Sequence, residues 1–586
     1  MIAYYQAKKE KHQETLQRTQ QQLNWLSGIR FLVFVTTFFV IYLFWGHQNI
    51  MIASSILGII LFIFLLNKYL KLTHQKKRLQ KLILINNTEI AYLERNYSTF
   101  DTGEEFINPK HFFSYDIDLF GQGSFFQFIN RTATKQGKFI LSTLLTNNNI
   151  DNVTQKQETI KELSQKSDWR QLFSATASLI EITTPVDSIL KWIEEHKPLF
   201  SKKNLLLTNI FSSISVILII VVSFDFLEFS YLITWFFIGV LISGFYFKKV
   251  NIIHQHASQT TATFQQYYKI LELIENEQFS TDELLKKQKK LSSENQKASD
   301  VFKAFSKILD ALDQRNNILL AIIRNGLFLS DLKQASKIEI WILQHKNITK
   351  EWFDIIAFFD AQNSLANFKF NHSEFVFPKI LTEENMIKTK DLGHPLIHAE
   401  KRITNNYTID SKSFFIITGS NMAGKSTFLR TVALNIVMAN IGLPVCASSM
   451  AYKPIKLITS MRTSDSLTDN TSYFFAEIKR LKFIINTIKD EPYFILLDEI
   501  LKGTNSVDKA NGSQKFVEKL IASKATGIIA THDLSLCSIA DTHSEIRNYY
   551  FDSEITKNEL VFDYKLKKGI CKNMNASFLL KKMEII

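Results

Sequence analysis

The sequence predicts an α/β domain, its sheet mostly parallel and flanked by helices, attached to a helical core that carries two membrane-spanning hairpins. Three observations carry this expectation. A glycine-containing loop with the spacing of a phosphate cradle lies between an apolar strand and a helical pattern near residue 420. Two more short apolar strands in the same C-terminal part end in Asp498-Glu499 and His532. Four apolar runs, grouped in two closely spaced pairs, interrupt an otherwise polar, helix-patterned N-terminal part.

At 586 residues the chain is long enough for roughly three to five domains. Its three cysteines, Cys446, Cys537 and Cys571, lie far apart without paired spacing. That argues against a disulfide framework or a zinc site and suits a reducing compartment. The net charge of +13 favours polyanionic partners, either nucleic acid or anionic lipid.

Taken in order, residues 1–30 are polar and basic and form an N-terminal helix. Apolar runs follow from Phe31 to Gly46 and from Ile50 to Leu66, so 31–66 reads as a first hairpin. Each run is near the lower limit for spanning a bilayer. They start too late, and double back too quickly, for a cleaved signal peptide. Residues 67–203 read as the first part of a helical core. A second hairpin occupies 204–248, with runs from Leu205 to Phe224 and from Phe229 to Phe247. Lys68, Lys71, Lys76, Lys77, Arg78, Lys202, Lys203, Lys248 and Lys249 flank the runs on one side, and both tips lack Lys and Arg. The positive-inside rule then puts both termini and every large segment in the cytoplasm, making the chain a multi-pass protein of the cell membrane with lipid as a partner.

Residues 249–370 are again helical. Phe264, Tyr267, Tyr268, Leu271 and Ile274 give the stripe of an amphipathic helix. The short apolar stretch from Ile318 to Leu329, interrupted by Arg324 and Asn325, is expected as a core helix. From about 371 to 586 short strand-like runs and turn residues announce the α/β domain.

The loop itself is Gly419-Ser420-Asn421-Met422-Ala423-Gly424-Lys425-Ser426-Thr427. Glycine at 419 and 424 lets backbone N–H groups turn onto phosphate oxygens, and the following helix N-terminus adds a favourable dipole. Lys425 is placed to reach the β- and γ-phosphates of ATP, and the Ser426 hydroxyl to hold Mg²⁺. Asp498, ending an apolar strand, would support that Mg²⁺ through water. Glu499 would orient or deprotonate the attacking water. His532, just beyond a third strand, lies where α/β sheets bind ligands and suits a γ-phosphate sensor.

Together, Gly419 to Thr427, the run Asp498-Glu499-Ile500-Leu501-Lys502-Gly503-Thr504-Asn505-Ser506, and Ala530-Thr531-His532-Asp533 resemble the ATPase domain of MutS-type mismatch-repair proteins, within the ABC ATPase superfamily. Thr471 to Ile478 is similar to the family's segment whose serine completes the partner subunit's site, which implies that Ser472 acts in trans in a homodimer. Tyr564-Lys565-Leu566 with Gly569 is similar to the closing strand and turn, which implies that the Tyr564 ring packs on adenine. Gly393-His394-Pro395 and Asn405 match the start of that domain. Asp118 to Gly137 resembles the beginning of the family's helical core, and Phe353 to Phe368, around Asp360, resembles its last lever helix.

The departures bear on function. Ser420 and Ala423 stand where the family usually has proline and glycine, and Leu501 and Lys502 replace a glycine and an arginine. The mismatch-reading domain has no counterpart, and the second hairpin falls roughly where the DNA-gripping clamp would be inserted. The resemblance implies an ATPase that switches a helical lever, with DNA as a candidate ligand, and the apolar hairpins add the expectation that it is anchored in the membrane. The alternative is an ABC-like ATPase that drives a membrane process or transport without nucleic acid. No LSGGQ-type signature is present, and the spans hold no Asp, Glu, Lys, Arg or His, which weighs against a translocation path.

Overall fold

A computed structural model describes residues 1–179, 184–292, 296–381, 385–462, 473–556 and 559–572. The chain forms two compact units. One comprises 1–94, 133–137 and 168–360; the other comprises 95–132, 138–167 and 361–586.

The first unit is helical. Helices α1 (Ile2–Leu43) and α2 (Gln48–Leu93) pack as a hairpin, so the polar N-terminal stretch and the first apolar run form a single helix. Leu26, Val33 and Leu65 are buried between them, and the Arg30 guanidinium lies 3.9 Å from the centre of the Tyr69 ring. A second hairpin joins α3 (Lys202–Ser223) to α4 (Phe229–Asn276). These four helices are long and apolar enough to cross a membrane. Their apolar side chains are left largely without protein contact, Leu241 being 75% and Phe245 80% exposed.

Beyond its apolar half, α4 packs on α5 (Ala298–Asp313). The Phe264 ring meets Phe302, Phe305, Trp341 and Phe353 with centroids 4.7 to 5.9 Å apart, an edge-on aromatic core. Phe264, Tyr267, Leu271 and Ile274 are buried as the stripe predicts, while Tyr268 is only half-buried and Ile270 joins the core. Helix α6 (Ile318–Phe328) corrects an expectation. It is no core helix: Leu319 is 75% exposed and, of its residues, only Gly326 is buried. The contact it does make is close. A methyl group on Gly239 of α4 would overlap the Gly326 carbonyl, and the Ser212 hydroxyl of α3 donates to the Phe328 carbonyl at 3.0 Å. Helix α7 (Ser330–Asn371) follows and carries Asp360. That buried carboxylate accepts from the backbone of Ala133 (3.0 Å) and Thr134 (2.8 Å) and from the Thr134 hydroxyl (2.7 Å). Gly137 is there because a larger residue would collide with it.

The second unit is built on two sheets. Strands β1 (Lys379–Ile380), β2 (Asn385–Leu392), β3 (Asn405–Asp410) and β5 (Ser449–Tyr452) make the smaller one, ordered β1-β5-β2-β3. The larger contains β4 (Phe414–Thr418), β6 (Lys456–Ser460), β7 (Tyr493–Asp498), β8 (Thr526–Ala530), β9 (Ile546–Thr556) and β10 (Glu559–Lys568), ordered β10-β9-β4-β8-β7-β6. All neighbours are parallel except the β9–β10 hairpin. β4 and β8 are buried at every position, as the unbroken apolar runs of a sheet covered on both faces require. Helices α8 (Lys425–Asn440), α9 (Tyr473–Thr487) and α10 (Ser506–Ala522) follow β4, β6 and β7.

Residues 95–132 and 138–167 belong with these sheets, whereas the sequence reading groups 67–203 together as helical core. The reason lies at the β6 edge. Thr459 donates its backbone N–H to the Phe112 carbonyl at 2.9 Å, and Asn148 exchanges two hydrogen bonds with Leu457, at 2.8 and 2.9 Å. Asp116 accepts from the Thr459 hydroxyl (2.5 Å) and from the backbone of Arg462 (2.9 Å). The upstream segment thus satisfies an edge strand that would otherwise expose unpaired backbone groups.

Candidate functional site

The glycine loop leaves β4 at its C-terminal end, where the sheet's other strand ends also deliver their polar residues. Gly419 and Gly424 take φ of +151° and +99°. Gly424 is doubly constrained, since a methyl group there would stand 2.9 Å from Cδ1 of Tyr564. A cavity of about 410 Å³ opens above the loop, within the range of small-ligand sites. Asn421, Met422, Ala423, Gly424, Lys425, Ser426 and Thr427 line it, together with Glu499, His532 and Tyr564. Gly419, Ser420 and Asp498 are not among its lining residues; the Ser420 hydroxyl meets that of Ser553 at 3.1 Å.

The charged groups are interlocked. Lys425 Nζ donates to the carbonyls of Gly419 (2.9 Å) and Ser420 (3.1 Å) and lies 3.1 Å from His532 Nε2. His532 Nε2 also lies 2.8 Å from Glu499 Oε1. Burial lowers the Lys425 pKa, opposed by the charges of Glu499 and Asp498. Glu499 is held down to about 2, first by its hydrogen bond to His532. It adopts φ +51°, a left-handed backbone that costs an L-residue about 1–2 kcal/mol. Its N–H is anchored on the Ala530 carbonyl at 2.9 Å, and Lys502 Nζ stands 3.5 Å from its carboxylate.

Whether these residues suit a divalent cation is answered by Asp498. Burial raises its pKa, and the Ser426 hydroxyl bonds to the carboxyl. Its Oδ1 is buried without a hydrogen-bond partner, a costly state for a lone acceptor. A buried carboxylate oxygen with spare capacity beside a hydroxyl is the donor set that Mg²⁺ takes. Asp498 and Ser426 would hold it, and the ion would supply countercharge for phosphate oxygens.

Residues 415–582 match the MutS domain V family. The C-terminal segment is MutS-like. The human MutS protein homolog 4 is 33% identical over 245 residues, covering 40% of this chain and 26% of that relative. A DNA mismatch repair protein MutS of Leptospira interrogans is 31% identical over 251 residues, 41% of this chain and 29% of that protein. One from Methanosarcina acetivorans is 27% identical over 338 residues, 56% and 33%. These matches support the MutS family, and the chain spans between a quarter and a third of the length of these relatives.

Within the MutS-like segment, Tyr564 sits at an irregularity of the β9–β10 hairpin with φ +53°. Asn405 clamps it, donating to the Tyr564 carbonyl at 3.1 Å and accepting from Leu566 N–H at 2.8 Å. The ring, 42% exposed, lines the cavity and stacks on Phe562 at 5.8 Å. Tyr564→Ala is expected to weaken ATP binding about 2–10-fold, the value of one aromatic stack, and Tyr564→Phe to leave it unchanged in a titration. Equal, negligible effects would remove the ring from the site.

Several contributors escaped sequence reasoning. Lys401, Ile403 and Phe551 also line the cavity, but nothing in their spacing marks them. His394 lines it too, its pKa pushed down to about 4 by burial and by Arg430 and Arg402, so it is neutral at pH 7. Glu477 accepts from the backbone N–H groups of Leu501 (2.5 Å) and Lys502 (3.0 Å), fixing the turn that follows Glu499. Ser472 lies outside the described residues.

Proposed function

We propose that this protein is a MutS-type ATPase that binds and hydrolyses ATP with Mg²⁺ and is anchored in the cell membrane with both termini in the cytoplasm. The observation that carries the nucleotide reading is the convergence of Lys425, Glu499 and His532 above one glycine loop, beside the partnerless Asp498 oxygen. In that reading backbone N–H groups of residues 421–426 cradle the phosphates and Lys425 balances their charge. Glu499, kept ionised by His532, takes the proton of the attacking water, and His532 senses the γ-phosphate. Asp498 and Ser426 hold the cation. Dimerisation would let Ser472 complete the partner's site, and nucleotide state would then bias the helical unit as a lever. DNA is the ligand we propose for that unit, on the strength of relatives whose names assign them to DNA mismatch repair.

ATP turnover by the full chain in detergent, with and without duplex, mismatched, branched and single-stranded DNA, tests the ligand. Stimulation by any of them is expected; silence toward all, with stimulation by lipid or a solute, would favour a transport-type ATPase. The membrane reading is supported by four long apolar helices with bare apolar faces, and by α6, a shorter apolar helix that also exposes leucines and isoleucines. Cysteines at Gln48 and Phe226 should react with an impermeant reagent added outside cells, and one at Ser411 should not. Labelling at Ser411 would overturn that topology.

A further inference from the structure

A second cavity, of about 420 Å³, lies in the helical unit and shares no residue with the nucleotide site. Its α2 wall is one helical stripe, Lys71, His74, Gln75 and Arg78, at the i, i+3, i+4, i+7 spacing that puts side chains on one face. Opposite stand Lys269 and Glu272 of α4 and Lys303 of α5. Both Lys269 and Lys303 approach the Tyr268 ring, at 5.9 and 5.7 Å.

The electrostatics are lopsided. Among the described residues that line it, four cations, Lys71, Arg78, Lys269 and Lys303, stand with one carboxylate, Glu272. Among the described residues, no carboxylate comes within ion-pair distance of Lys71, Arg78, Lys269 or Lys303. Two titrating groups register the imbalance. The Lys269 pKa is lowered by burial and then by Arg78, and that of His74 by burial and then by Lys269 and Lys77. Folding has gathered like charges into a partly dehydrated space, which is unfavourable unless something negative shares it.

We propose that this cavity binds a compact anion bearing two phosphate groups, supplied as the headgroup of an acidic phospholipid. Two phosphodiester charges come close to the net charge of three left by the fixed groups, and lysine and arginine donors suit phosphate oxygens. Position favours the lipid source. Lys71 is five residues beyond Leu66, where the second apolar run ends, a helical rise of about 7 Å. That choice of source rests on the membrane reading; the anion chemistry does not.

Native mass spectrometry of the full chain in neutral detergent tests it, with diphosphatidylglycerol, phosphatidylcholine and inorganic pyrophosphate as probes. The pyrophosphate arm uses the Lys425→Ala chain, so that the nucleotide loop does not compete. One tightly held diphosphatidylglycerol is expected, with phosphatidylcholine not retained. Lys269→Ala/Lys303→Ala should weaken it at least about ten-fold, as the loss of two charge-assisted hydrogen bonds implies. Lys269→Arg/Lys303→Arg should keep it, as should Lys286→Ala/Lys287→Ala, which removes equal charge elsewhere. ATP turnover without lipid should match the wild-type chain in Lys269→Ala/Lys303→Ala, Lys269→Arg/Lys303→Arg and Lys286→Ala/Lys287→Ala. Binding of pyrophosphate but not of the lipid, lost in the alanine pair, would keep the anion site and overturn its lipid source. Equal binding by the wild-type chain and the alanine pair would overturn the site itself, whatever the topology experiment shows.

Discussion

Replacing Glu499 by glutamine should leave ATP bound and largely uncut. The amide keeps the side chain's shape but cannot take a proton, and a missing general base costs about 10²–10⁴ in rate. ATP affinity should change little, because Lys425 and the loop backbone remain. Single-turnover hydrolysis measured beside equilibrium ATP binding separates the two quantities; wild-type turnover would strip Glu499 of its role. The pH dependence follows from the same contacts. With its pKa lowered to about 2 by His532, Glu499 is ionised throughout the usual assay range, so any acid limb of the turnover profile above about pH 4 belongs to another group. The depressed value also carries a stability contribution, present above the ordinary carboxylate value of 4.5 and lost as pH falls toward 2.

The second large effect is expected at Lys425. Lys425 is 5% exposed and its ammonium bonds to two carbonyls of its own loop, so it is already positioned over the phosphate cradle. Lys425→Ala removes a charge-assisted donor, and about 1.5–3 kcal/mol for such a bond corresponds to roughly 10–150-fold weaker ATP binding. Calorimetric titration with ATP and Mg²⁺ reads this directly. An unchanged affinity, in a chain with wild-type melting behaviour, would mean that phosphate does not bind at this loop.

The sequence exposed the loop and the strand-end carboxylates because their information is local. A glycine loop needs its residues at fixed offsets, and a buried parallel strand must be apolar from end to end. Contacts set by distant residues left no such trace. Asp116 and Asn148 cover the β6 edge from more than 300 positions away, and each looks like an ordinary polar loop residue. Glu477 reads as one more charge on an amphipathic helix, although it fixes the turn after Glu499. Helix α6 misled for a different reason: apolar composition says that a surface avoids water, not what covers it. The charge of the α2 stripe was legible too, but not that α4 and α5 would bring two more lysines opposite it.

The strand order has a consequence for how the chain is made. β4 pairs with β8 on one side and β9 on the other, yet roughly 110 residues separate it from the nearer partner. At about 5–20 residues per second, a ribosome takes on the order of 5–20 s to supply that partner. For that interval Phe414-Phe415-Ile416-Ile417 has two open edges and no sheet to join. A central strand that emerges well before both of its partners is a standing target for chaperones and for wrong pairing between nascent chains.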